Sequence, residues 1–153
     1  MAVQAICSAG ESLNDQKLKT LTESLIREIV EQTEQGTVFV RTGENPTSEE
    51  LPITAATFIE ALGANFVRTR DKNTLSVIRS AVDWFLGKNR IGADVYDFLT
   101  GGCHDAVTAS GVNRNQGTEA TAFCLLAFLS LNQFVSMVIP AEHITPPTIS
   151  MVD

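Results

Sequence analysis

Residues 53–87, ITAATFIEALGANFVRTRDKNTLSVIRSAVDWFLG, decide the fold class. In the first half Ala55, Ile59, Leu62 and Phe66 recur at helical spacing, which stacks them on one stripe of a helix over Ile53 to Arg68, with Glu60 beside it. In the second half Leu75, Ile78, Val82, Phe85 and Leu86 repeat the pattern from about Asn73, and Gly87 stops it. Only a short polar stretch separates the two, a length that makes them antiparallel neighbours, an αα-hairpin.

The same period recurs on either side. From Asn14 or Asp15 to Gln35, Leu18, Leu21, Leu25 and Ile29 mark an amphipathic helix that Asn14 could cap and Gly36 ends. Its charged face, with Lys17, Glu23, Arg27, Glu28, Glu31 and Glu34, reads most simply as solvated. Thr37 to Arg41 alternates weakly, as a short extended piece would, and Gly43 to Pro52 reads as a surface loop containing Glu49 and Glu50. A last helix runs from Thr118 to Met137 and is apolar nearly all round, which places it inside the fold with neighbours on several sides. Between the helices, residues 88–116 lose all periodicity. A loop that long inside a compact domain is usually functional or disordered, and disorder is the weaker option because Ile91, Val95, Phe98, Leu99 and Val107 can anchor it. The expected fold is therefore all-α: antiparallel helical hairpins in one domain over 1–139, a long irregular loop at 88–116, and an extended or poorly ordered tail over 140–153.

Composition narrows the function. The chain has 153 residues, 44% of them hydrophobic, and 18 acidic against 11 basic side chains give a net charge of -7. No basic stripe is present to meet phosphates, so nucleic acid is excluded as a partner, and anionic membrane surfaces are disfavoured on the same ground. Charged residues make up 19%, below the ~25% of ordinary soluble domains, so the apolar content must find a core or a partner. The apolar run Ala122 to Leu131 is short of the ~20 residues a bilayer requires and reads as a core helix. Met1 to Gly10 has no basic start, so no secretory signal is read there. Cys7, Cys103 and Cys124 are odd in number and show no C-x-x-C spacing, which fits a reducing, cytoplasmic setting better than a disulfide framework.

The chemistry concentrates before the last helix. Tyr96-Asp97-Phe98-Leu99-Thr100-Gly101-Gly102-Cys103-His104-Asp105 is followed by Gly111-Val112-Asn113-Arg114-Asn115-Gln116-Gly117-Thr118-Glu119. Asp97, Asp105 and Glu119 supply carboxylates, while Asn113, Arg114, Asn115 and Gln116 can donate to hydroxyl oxygens. A saccharide needs such groups together with an aromatic face, which Tyr96 or Trp84 could offer. Asp105 and Glu119 are the candidate catalytic pair, since glycoside hydrolysis uses two carboxylates flanking the bond. The plainer alternative is structural: Asn and Gln before a helix cap it, and Glu119 in its first turn complements the macrodipole. Cys103, His104, Cys124 and His143 match no standard zinc spacing, and Cys103 beside His104 lacks an orienting third group, so neither a metal site nor a thiol nucleophile is expected. No G-x-G-x-x-G, Walker or G-x-S-x-G motif occurs, and no cofactor is expected.

The run Trp84-Phe85-Leu86-Gly87-Lys88-Asn89, then Tyr96-Asp97, Thr100-Gly101-Gly102-Cys103, Asp105, and Gly111 to Gly117 with Glu119 and Thr121, resembles the C-terminal part of a bacterial six-hairpin (α/α)-toroid glycosidase-like domain, of the kind fused behind group 1 glycosyltransferases. The resemblance covers roughly Pro52 to Leu131. It implies helix pairs stacked into a toroid, with long loops at one mouth facing carbohydrate and Asp105, Asn113, Asn115, Gln116 and Glu119 near that mouth. Phe98, Ala106 and Thr118 depart from the motif, which commonly has proline, glycine and alanine there. No nucleotide-sugar-binding domain is present, so glycosyl transfer by this chain alone is not expected. A full toroid needs roughly twice this length, at two ~10–14-residue helices plus loops per hairpin. Three functions follow as expectations: a partial or accessory carbohydrate-associated module of glycan metabolism; a non-catalytic interaction module that completes its core by homo-oligomerising or by docking on a glycosyltransferase; or a free-standing glycoside hydrolase, which requires two carboxylates facing a common cleft.

Overall fold

The computed structural model describes residues 9, 12–34 and 49–138 of the chain. Gly36, the weak alternation at 37–41, most of the loop before Pro52 and the tail at 140–153 lie outside these residues. The described chain is mostly helical: α1 (Gln16–Glu34), α2 (Pro52–Thr69), α3 (Lys72–Asp83) and α4 (Thr118–Ser136), with one hairpin of β1 (Ala106–Thr108) and β2 (Gly111–Asn113).

Each helix starts where its sequence supplies a reason. Asp15, not Asn14, caps α1, its Oδ1 accepting from the amides of Lys17 (2.8 Å) and Leu18 (3.3 Å). Asn14 instead takes a left-handed conformation, φ 48°. Pro52 opens α2 at a position where a missing N–H costs nothing. Arg70 ends that helix in a left-handed turn, φ 57°, with its amide on Phe66 O. One residue later Asp71 caps α3, accepting from Asn73 N at 3.2 Å and from Thr74 N at 2.8 Å. The link between α2 and α3 is thus Arg70 and Asp71 alone, and the two helices form the expected hairpin.

The core lies between α2, α3 and α4. Ala55, Ile59, Leu62 and Phe66 of α2 meet Leu75, Ile78 and Val82 of α3, with Phe85 and Trp84 just beyond the end of α3. α4 crosses α2 so closely at Gly63 that a Cβ there would overlap the ring of Phe134. Phe134 then stands edge-on to Phe66, centroids 5.9 Å apart. Beside this contact Ser130 Oγ donates to Glu60 Oε1, tying the same two helices. Among its described side chains α1 joins the core through Ile26 and Thr22, and the Arg68–Glu23 ion pair (2.9 Å) holds it to α2.

Two expectations change. The span 88–116 is not irregular throughout: Ala106 pairs with Asn113, Val107 with Val112 and Thr108 with Gly111 in an antiparallel hairpin. Glu50 extends that sheet as an isolated antiparallel bridge on the other side of Val107, with both N–O contacts at 2.9 Å. The second change concerns α4, which among the described residues is not enclosed on several sides. It buries a stripe of small residues, Ala120, Cys124, Ala127 and Ser130, together with Phe134. Leu125, Leu126 and Leu129 remain 48%, 40% and 68% exposed. At 19 residues α4 has the length and apolar composition that crossing a membrane requires, although the apolar run within it is shorter.

Candidate functional site

The loop between α3 and α4 is built by short polar locks. Asn89 Nδ2 donates to the carbonyls of Trp84 (3.0 Å) and Ala93 (2.7 Å), which closes the first turn. The amides of Val95 and Tyr96 both reach Phe85 O, at 2.9 and 3.0 Å, so the chain returns onto the end of α3. His104 N donates to Val95 O at 2.8 Å, and Cys103 N donates to Thr121 Oγ1 of α4 at 3.1 Å. Asp97, Asp105, Asn113, Asn115 and Gln116 are thereby gathered at the start of α4.

What they do there is bond to one another. Asp97 Oδ1 accepts from Leu99 N (2.9 Å) and Thr100 N (3.3 Å), while Oδ2 accepts from Gln116 Nε2 (2.8 Å). Gln116 Oε1 in turn accepts from Thr100 Oγ1 at 2.9 Å. These bonds, the Leu99 amide first and the Gln116 amide next, hold the Asp97 carboxyl below its ordinary range. Asp105 Oδ1 accepts from Gly117 N at 2.7 Å, directly before α4, and its Oδ2 accepts from Asn115 Nδ2. Asn113 Oδ1 accepts from Asn115 N at 3.2 Å. A Cβ on Gly117 would lie 2.8 Å from Asp105 Oδ1, so a side chain there would have to push that carboxylate aside. Asp97 and Asp105 therefore each close a local ring of hydrogen bonds at the helix entrance.

The aromatic candidates divide. Trp84 is 2% exposed, and its Nε1 donates to Glu50 Oε2 at 2.7 Å. Its faces are packed in the core, so the expectation that it offers a stacking surface is corrected. Tyr96 is half-buried, with Phe98 (4.9 Å) and Phe128 (5.2 Å) both edge-on to its ring. Arg114 and Glu119 are exposed. Among the described residues Glu119 has no hydrogen-bond or ion-pair partner, which leaves its carboxylate to the first turn of α4 and the helix dipole.

Sequence reasoning missed Glu50 and Arg90. Glu50 is only 9% exposed, and its Oε1 accepts from Arg90 Nε at 3.1 Å while its Oε2 takes the indole. A charge before a proline reads as a loop, and nothing local announces a partner 34 positions away. The cysteines are core residues. Cys103 and Cys124 are 0% and 1% exposed, and the neighbouring Cys124 thiol, with burial second, pushes the Cys103 thiol far above its usual range. His104 Nδ1 is buried with no partner among the described residues. No group of three His, Cys, Asp or Glu side chains among those residues could hold a metal ion, and His143 lies outside them. A shallow depression on α1, lined by Gln16, Lys17, Thr20, Leu21 and Ser24, contains none of the candidate site residues.

The chain matches no protein-family profile, and no curated protein matches it.

Proposed function

We propose that this chain is a non-catalytic interaction module that buries the outer face of α4 against another polypeptide. The observation that carries this reading is that face: Ala122, Leu125, Leu126 and Leu129 are exposed in one helical stripe, while the small residues behind them are spent on the contact with α2 and α3. Burying a leucine side chain is worth roughly 1.5–3 kcal/mol, so three left in water are a strong reason to associate. The polar loop supports the same reading from the other side. Asp97, Asp105, Asn115 and Gln116 are engaged with one another, and a saccharide binding there would have to displace those bonds. In the toroid reading of the sequence, the hairpin α2–α3 with α4 against it is one sector of stacked helices, and the bare face of α4 is where a further helix would pack.

The test is a photo-crosslinking residue placed at Leu129 in the full chain, expressed in its native cell. The reading expects one discrete protein adduct, and no adduct on illumination would count against it. The same residue at Ser80, exposed on α3, is the control and should give none.

A further inference from the structure

We infer that the polypeptide covering α4 is a second copy of this chain, its α4 lying antiparallel to the first in a two-fold symmetric pair. The inference rests on the interaction reading above and names its partner. The exposed positions of α4 are 118, 119, 122, 125, 126, 129, 132, 133 and 136. Apart from the last, they are symmetric about the midpoint between Leu125 and Leu126. In an antiparallel pair centred there, Leu125 and Leu126, on opposite flanks of the stripe, each lie beside the same residue of the other copy, and Ala122 receives Leu129, small against large. Thr118 and Glu119 both approach the other copy's Gln133, whose amide can donate to the carboxylate. A two-fold interface requires one patch to be complementary to itself, and this one is.

Charge selects the direction. α4 contains no Lys or Arg, and Glu119 is its one charged residue. Parallel pairing would set the two Glu119 carboxylates side by side in a chain already carrying -7. Antiparallel pairing separates them by roughly 20 Å along the axis, at 1.5 Å per residue, well past the ~8 Å Debye length. A bilayer fits the face poorly. Its apolar part runs only from Ala122 to Leu129, roughly 10 Å of helix against the ~30 Å hydrocarbon core, and polar side chains bound it at both ends. One helix pair alone falls short of the ~800 Å² per partner of a standard interface. The loop tip at Phe98 and Leu99, 68% and 97% exposed, is a second apolar patch, tied to the flank of α4 through the Phe98–Tyr96–Phe128 ring contacts.

Cysteine crosslinking of the full chain reads the register. In a Cys7→Ser background, Leu126→Cys alone should oxidise to a disulfide-linked dimer. Thr118→Cys alone should not, because its counterpart sits roughly 22 Å away. Mixing Thr118→Cys with Gln133→Cys should restore the crosslink. Self-crosslinking by Thr118→Cys would overturn the antiparallel arrangement, and absence of any crosslink at Leu126→Cys would overturn the second copy. An adduct of twice the chain mass in the photo-crosslinking experiment agrees with both proposals. An adduct with a different protein keeps the interaction reading and removes this one.

Discussion

The indole of Trp84 donates to the buried carboxylate of Glu50 at 2.7 Å, joining the end of α3 to the segment that leads into α2. The same carboxylate takes Arg90, and its backbone pairs with Val107 of β1. One residue thus connects the helical core, the loop and the sheet. Trp84→Phe removes the donor and leaves a void where the larger indole packed, so urea unfolding should show a loss of at least about 1.5–3 kcal/mol, the range for a hydrogen bond to a charged group. Glu50→Ala should lose more, because it strips a partner from both Trp84 Nε1 and Arg90.

Asp105 separates a structural from a chemical role. Its carboxylate fixes the Gly117 amide at the entrance to α4, so Asp105→Ala should lower stability by about 1–3 kcal/mol in chemical denaturation. Gly117→Ala should be destabilising as well, since its Cβ would press on the same oxygen. If Asp105→Ala leaves stability unchanged, the carboxylate is not needed for folding and the structural assignment fails.

Asp71 gives a pH signature. Its bond from the Thr74 hydroxyl, against some desolvation and with the Thr74 and Asn73 amides behind it, lowers its carboxyl below the ordinary value. A carboxyl depressed in the folded state stabilises above its unfolded pKa of about 3.9 and loses that contribution as pH falls through the folded value. At pH 7 Asp71→Ala should cost about 1 kcal/mol, as loss of an N-cap does. The gap between wild type and variant should narrow below about pH 4, read from thermal melts across pH.

The thiols should be inert. With Cys103 and Cys124 both buried and Cys103 held protonated, iodoacetamide at neutral pH should label neither in the native protein and both in urea, as peptide mass mapping would record. Rapid native labelling of Cys103 would mean that the loop opens readily from α4.

The helices were legible because apolar spacing is a local signal: Ile59, Leu62 and Phe66, then Leu75, Ile78 and Val82, are core residues where the period places them. The β-hairpin was not, because its strands have three residues each and its turn, Ala109-Ser110, has none of the usual Asn-Gly chemistry. Glu50 was hidden by its charge, which reads as exposed until a distant indole and guanidinium are in view. α4 misled in the opposite sense. Apolar on most sides, it reads as central, yet the residues that pack closely are its small ones, and its leucines face outward. At the loop, clustering of the polar residues was foreseeable from the sequence. That they would satisfy one another depends on the returns of the chain at Val95 and His104, which composition does not encode.

The central claim, that the outer face of α4 is an interface, is tested most directly by sedimentation velocity of the purified chain with an apolar-surface dye present, comparing wild type with Leu125→Glu/Leu129→Glu. Wild type is expected to sediment as a complex with little dye bound, and the double variant as a folded monomer. A wild-type chain that sediments as a stable monomer at all concentrations and binds no dye would contradict the claim.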